Sequence, residues 1–141
     1  MNLQFQNATP EDIAIIFTQA KQLIDMYEDI DGIDYEKVLA WVKRKITEHI
    51  SSYCCVLLHG EKCAYYRLCD DGEIDDLYVL PAYRNQGIGS AILRKCAEES
   101  KENLYLYVFS RNLRAISLYE RHGFAVHESV GKTRLIMARK G

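Results

Sequence analysis

Apolar and polar positions along the chain change period several times, and each change marks an element. Residues 3–8, LQFQNA, alternate and predict a first strand. Thr9, Pro10 and Asp12 then read as a helix start: a hydroxyl that can cap, a proline at the first helical position and an acid three residues after the cap. Ile13, Ile16, Phe17, Ala20, Ile24 and Tyr27 fall on one helical face, which predicts a helix over about 10–28. DGID breaks that pattern. Asp34 caps a second helix with Val38, Trp41, Val42, Ile46 and His49 on its inner stripe. SYCCVLLHGEKCAYYRLC (52–69) reads as two strands around a tight turn at His59-Gly60-Glu61, and GEIDDLYVL (72–80) as a third strand ended by Pro81. GIGSAILRKCAEESK (87–101) is a helix and LYLYVF (104–109) a short buried strand. NLRAISLYERHGF is a helix started by Asn112 and closed by Gly123. FAVHESV and TRLIMAR close the chain as a hairpin around Gly131.

The order is therefore β-α-α-β-β-β-α-β-α-β-β. Strand 72–80, the helix after it and strand 104–109 make one β-α-β crossover, expected to be parallel and right-handed. The flanking hairpins are antiparallel. The expectation is an α/β fold with a mixed sheet of about seven strands.

Composition narrows the function. The chain has 141 residues, 48% apolar and 27% charged, which suits one globular domain over 1–141. A formal net charge of −2 argues against a nucleic-acid binder. No apolar run approaches the roughly 20 residues of a membrane span. MNLQFQNATPED has neither a basic start nor an apolar core, so a cytoplasmic protein is expected. Cys54, Cys55, Cys63, Cys69 and Cys96 include no C-x-x-C pair, and the four histidines lack metal-ligand spacing. Reduced, mostly buried thiols and no metal are expected.

The chemistry concentrates in YRNQGIGSAILRK (83–95). A helix N-terminus offers unsatisfied N–H groups and a positive dipole end. Gly87 and Gly89 allow close backbone approach and positive φ, and Arg84 adds fixed charge. A P-loop would need a Lys-Ser or Lys-Thr pair after its second glycine, and a dinucleotide fingerprint a third glycine or alanine where Ile92 stands. Together these residues describe a cradle for a phosphate or pyrophosphate, with a purely structural turn as the alternative.

Arg84-x-x-Gly87-x-Gly89 resembles the pyrophosphate loop of the GNAT superfamily of N-acetyltransferases. IDDLYVLPAYR resembles that family's fourth strand and its proline-containing exit. NLRAISLYERHGF is similar to its second signature, an Asn followed by Ala, Leu-Tyr and Gly-Phe. The resemblance is strong over 73–124 and weak over 1–60. It implies a GNAT fold, with the mixed sheet flanked by four helices.

It also implies acetyl-coenzyme A as cosubstrate. The pyrophosphate would rest on the backbone of Gln86, Gly87, Ile88, Gly89 and Ser90, with Arg84 and Asn85 lining the loop. The pantetheine arm would pair with Leu77, Tyr78 and Val79, in a slot where strand 72–80 splays from strand 104–109, and would meet Asn112 and Ala115 on the next helix. Tyr119 would serve the departing thiolate. Glu73, Asp75 and Asp76 are the candidate bases, Asp75 first and Asp76 second. Strict alternation places Asp75 with Leu77 and Val79, and Asp76 with Tyr78. Tyr27 and Asp29, with Asp75, are expected at the acceptor, because residues 25–36 carry six acids and no Lys or Arg and would attract a cationic amine. Tyr27 and Tyr35 could add aromatic walls. The expected partner is a small-molecule amine acceptor, with no nucleic acid or membrane, in a monomer or a homodimer. A peptide acceptor, or a non-catalytic acyl-CoA sensor module, are the alternatives.

Overall fold

The structure, a computed structural model, describes residues 1–139. Its order is β1 (Leu3–Asn7), α1 (Ile13–Tyr27), α2 (Tyr35–Glu48), β2 (Cys54–Leu58), β3 (Glu61–Leu68), β4 (Ile74–Val79), α3 (Ile88–Glu99), β5 (Leu104–Phe109), α4 (Leu113–Arg121), β6 (Ala125–Val130) and β7 (Arg134–Arg139), with short 3₁₀ turns between some of them. This is the expected order.

The local signals explain it. The Thr9 N–H donates to Asp12 Oδ2 at 2.8 Å, so Asp12 closes a capping box ahead of α1. Asp34 caps α2 and Asn112 caps α4. Gly123, at φ 86°, ends α4 with the left-handed residue a C-terminus favours. His59 and Gly60, both at positive φ, turn β2 into β3.

The seven strands form two antiparallel groups, β1-β2-β3-β4 and β5-β7-β6. The parallel element expected across α3 shrinks to one bridge, Glu73 with Tyr105. Beyond it, no backbone pair joins β4 to β5 among the described residues, so the two strands diverge.

Two apolar cores sandwich the four-stranded sheet. On one face α1 and α2 bury Ile16, Ala20, Ile24, Val42 and Ile46 against Cys55, Tyr65 and Tyr78. On the other, α3 and α4 bury Ile88, Ile92, Leu93, Cys96 and Tyr119 against Val56, Ala64, Ile74 and the inner side of β5 and β7. Cys55, Cys63 and Cys96 are buried, Cys54 and Cys69 half-buried, and all five thiols are free.

Trp41 departs from expectation. It is 57% exposed rather than on the inner stripe of α2. The stripe centres between Val42 and Ile46, and at 3.6 residues per turn Trp41 lies roughly 120° from it. His49 is the helix C-cap and is also exposed. No helix among the described residues is long and apolar enough to cross a membrane.

Candidate active site

The site begins at a defect in β4. The β3–β4 register pairs Arg67 with Asp75 but Tyr66 with Leu77, so Asp76 is an extra residue in the strand. Its φ is +66°, in the left-handed region that few non-glycine residues adopt, aspartate among the more frequent of them. This is a β-bulge, and it breaks the strict alternation. Asp75 does not share a face with Leu77 and Val79, which pack toward α3. Asp75 and Asp76 both turn toward α2.

There they enter an ionic network. Lys45 Nζ, from α2, lies 3.1 Å from Asp75 Oδ1 and 3.0 Å from Asp76 Oδ2. Arg67 Nη1 donates to the other oxygen of Asp75 at 2.6 Å. The hydroxyls of Tyr53 and Tyr78 donate to Asp76 at 2.6 and 2.8 Å. These donors hold the bulge, and strain of this kind recurs where a site needs an aimed backbone. Burial would pull the Lys45 ammonium below the usual lysine range, but the two carboxylates outweigh it and hold the pKa above that range. Burial, then the charge and hydrogen bond of Asp76, pushes the Tyr53 and Tyr78 phenols well up. Glu73, just ahead of β4, is pushed up by burial and by the neighbouring acids Asp75 and Asp71.

At the other end of β4, Gly87 is the N-cap of α3 at φ 81°. Asn85, at φ 63°, is also left-handed. Asn85 Oδ1 accepts a 2.6 Å bond from Arg114 of α4, which ties the loop across the gap between β4 and β5. Arg84 turns back, its Nε donating to the Val79 carbonyl at 3.3 Å. Gly89 plays a different part from Gly87. It is helical, and an added Cβ would meet Leu118 Cδ2 at 3.0 Å, so its smallness lets α3 close on α4. Ile88 is buried, so only its backbone can face a ligand. Ser90 Oγ is 2.9 Å from His122 Nε2, linking the first turn of α3 to the end of α4.

Tyr119 lies in the core between α4 and β4, 8% exposed, its ring 5.9 Å from Phe124. Burial, and then the negative charge of Asp76, raises its pKa to about 12. Asn112 Oδ1 accepts the Ala115 N–H at 3.2 Å, which leaves its amide N–H₂ for a ligand.

The acceptor candidates are less concentrated. Tyr27 stacks at a tilt on Phe109, ring centres 6.2 Å apart. Arg111 donates to the Tyr27 carbonyl at 2.7 Å, so the end of α1 is fastened to the turn leading into α4. The polar contacts of Asp29 are local, to Glu28 and Gly32, and its side chain is not drawn into the network around Asp75. Asp25 bonds Lys21 and the Tyr35 hydroxyl, Lys21 stands 5.9 Å over the Tyr35 ring, and Glu28 accepts from Thr133. Much of the acidic segment is thus engaged within the fold.

Lys45, Arg67 and Tyr53 are site residues that pattern reasoning misses. Lys45 sits at the border of an apolar stripe and Arg67 in a strand, and only the tertiary fold brings them to β4. The same is true of Arg114.

A model of the acetyltransferase (GNAT) family matches residues 14–124. Among curated proteins, a bovine (Bos taurus) thialysine N-epsilon-acetyltransferase is 44% identical over 54 residues, 36% of this chain and 32% of that one. A glucosamine 6-phosphate N-acetyltransferase of Trypanosoma brucei brucei is 33% identical over 58 residues, 40% of each chain. The chain thus spans about a third of the length of the first and two fifths of the second. Among solved structures, the PaiA N-acetyltransferase from Thermoplasma acidophilum, in complex with coenzyme A, superposes over 100% of both chains with TM-score 0.74 at 20% identity. The apo form of YjaB from Escherichia coli does so with TM-score 0.73 at 16% identity, over 100% of this chain and 99% of its own.

Proposed function

Because the chain belongs to the GNAT acetyltransferase family, we propose that it is an N-acetyltransferase that moves an acetyl group from acetyl-coenzyme A to a small cationic primary amine. The observation that carries this reading is the divergence of β4 from β5 beside a helix whose N-cap is Gly87 at positive φ. Unpaired strand edges accept an extended amide-bearing arm, and the helix N-terminus accepts its phosphates. The residues present fit acetyl-coenzyme A on both counts.

The backbone of Gln86, Gly87, Ile88, Gly89 and Ser90 holds the pyrophosphate. Arg84 and Asn85 line the loop, and Arg114 fixes Asn85. Leu77, Tyr78 and Val79 present main chain to the pantetheine arm, with Asn112 and Ala115 across from them. Acetyl-coenzyme A supplies an activated acetyl thioester. These contacts orient it against the amine and lower the entropic part of the barrier.

Two protons must be handled. The acceptor ammonium, with a pKa near 10.4, must lose one. Asp75, with Asp76 second, is the carboxylate pair placed to do so. Asp75 Oδ1 already meets one ammonium, that of Lys45, while Arg67 grips its other oxygen, so its part is that of an ammonium binder from which the acceptor's proton passes to water. The departing thiolate needs the second proton. A tyrosine near pKa 12 against a thiol near 8.5 makes full transfer uphill by about 5 kcal/mol. Tyr119 therefore stabilises the sulfur by a charge-assisted hydrogen bond, and the thiolate takes its proton from water.

The named relatives are acetyltransferases of small amines, thialysine and glucosamine 6-phosphate, which favours a small acceptor. Tyr27 and Asp29 form its outer wall, and a cytoplasmic setting supplies its cosubstrate. The test is free-thiol release from acetyl-coenzyme A with polyamines, aminoglycosides, amino acids and peptides in turn. Multiple turnovers with a small amine support the reading. Peptides alone being acetylated would move the acceptor to protein, and tight binding without release would leave a binding module.

A further inference from the structure

The acidic end of β4 already holds an ammonium, and the chain itself supplies it. Lys45 Nζ bridges Asp75 Oδ1 and Asp76 Oδ2 at 3.1 and 3.0 Å and stands 5.9 Å from the centre of the Trp41 ring. Two carboxylates and an aromatic face are the groups that recognise an alkylammonium. Asp76 is also the carboxylate whose charge reaches Tyr119.

Lys45 is one of several groups that hold the cage. Arg67 grips Asp75 from the other side, and Tyr53 and Tyr78 grip Asp76. Those three contacts remain to hold the carboxylates when the lysine leaves. An exit is open as well, because the Lys45 side chain is 17% exposed and Trp41, beside it, is 57% exposed.

We propose, resting on the acetyltransferase reading above, that Lys45 is a specificity-determining residue. It is a tethered stand-in for the acceptor, occupying the ammonium site that the substrate amine must take over. The apparent affinity for the acceptor is its intrinsic affinity multiplied by the fraction of molecules in which Lys45 has swung out. Only an acceptor that brings its own ammonium on a slender alkyl chain can exchange with it. A neutral amine leaves the two carboxylates short of a cation and loses the competition.

The test uses Lys45→Ala and Lys45→Met, the second keeping most of the stem if the first folds poorly. n-Butylammonium, a free copy of the lysine side chain, is the binding probe, with sodium and tetramethylammonium at equal ionic strength as controls. It should raise the melting temperature of the variants and not that of the wild type. In steady-state thiol release with spermidine, Lys45→Met should lower the KM for the amine about tenfold if the site is vacant a tenth of the time in the wild type. The KM for acetyl-coenzyme A should not move. Variants that melt alike in n-butylammonium and sodium, with an unchanged or raised amine KM, overturn the inference. If those variants still gain thermal stability from coenzyme A, the acetyltransferase reading survives. A wild type that gains none from coenzyme A overturns both.

Discussion

Replacing Tyr119 by Phe removes one hydroxyl and little else, because the ring is buried and packs on Phe124. The structure sets the size of the effect. With the phenol at about 12, outright proton donation to a thiolate near 8.5 is uphill by about 5 kcal/mol, so the hydroxyl contributes a hydrogen bond to a charged sulfur. Such a bond is worth about 1.5–3 kcal/mol. At 1.36 kcal/mol per decade, Tyr119→Phe should lower kcat by about 10- to 150-fold. The bond forms as charge develops on sulfur, so the KM for acetyl-coenzyme A should change little. The assay is initial-rate thiol release over a range of acetyl-coenzyme A at saturating amine. The pH dependence gives a second check. A phenol raised from 10 to about 12 stays protonated in the free enzyme through the usual alkaline range, so no fall in kcat/KM near pH 10 should belong to it. An unchanged kcat would falsify the assignment. A loss confined to KM would reduce Tyr119 to packing against the arm.

Other perturbations separate the remaining parts. Asp75→Asn removes a charge from the ammonium site and should raise the KM for the amine about tenfold or more while the KM for acetyl-coenzyme A holds; an unchanged amine KM would remove Asp75 from the acceptor site. Gly87→Ala forces a side chain into φ 81°, costs about 1–2 kcal/mol and should raise the KM for acetyl-coenzyme A more than it lowers kcat; unaltered KM and melting temperature would remove the loop from the cofactor site. Asp12 is a structural anchor, 1% exposed, bonded by Lys62 at 2.7 Å, the Tyr65 hydroxyl at 2.7 Å and the Thr9 N–H. Asp12→Asn should cost about 3 kcal/mol in urea titrations with kinetics unaltered in the folded fraction, and a loss under 1 kcal/mol would contradict that anchor. Burial would raise the pKa of Asp12, but the bonds from Lys62, Thr9 and Tyr65 outweigh it and hold it low. Its stabilising effect is therefore complete above the ordinary carboxylate pKa and is lost as pH falls through the lower folded value, so the wild type should lose its advantage over Asp12→Asn only in acid.

The sequence reveals the order of elements because period changes coincide with stereochemical punctuation. Asp34, Asn112 and Gly123 stand where helices begin or end, and His59-Gly60 where a hairpin turns. The loop before α3 is equally legible, since Gly87 takes the positive φ that its place demands. The interior of β4 is not. Alternation assumes an unbroken pleat, and the bulge at Asp76 turns Asp75 to the opposite face from the one alternation assigns. No local signal is enough to mark that bulge, because only Tyr78 bonds Asp76 from within β4 and the other holding bonds come from Lys45 and Tyr53 across the fold. Trp41 fails for a simpler reason. An apolar residue at the margin of a stripe is read as part of it, whereas packing ends at Val42 and Ile46. The gap between β4 and β5 is a property of pairing, and pairing is long-range.

The central claim is that acetyl-coenzyme A lies between β4 and β5 with its pyrophosphate on the start of α3. Backbone amide chemical shifts of the isotope-labelled protein, followed as acetyl-coenzyme A is added, test it most directly. The account predicts saturable shifts at Leu77, Tyr78 and Val79 and at Gln86 through Ser90, none of them reproduced by NAD or ATP at the same concentration. Shifts confined to other surfaces, or the same shifts with either nucleotide, would contradict it.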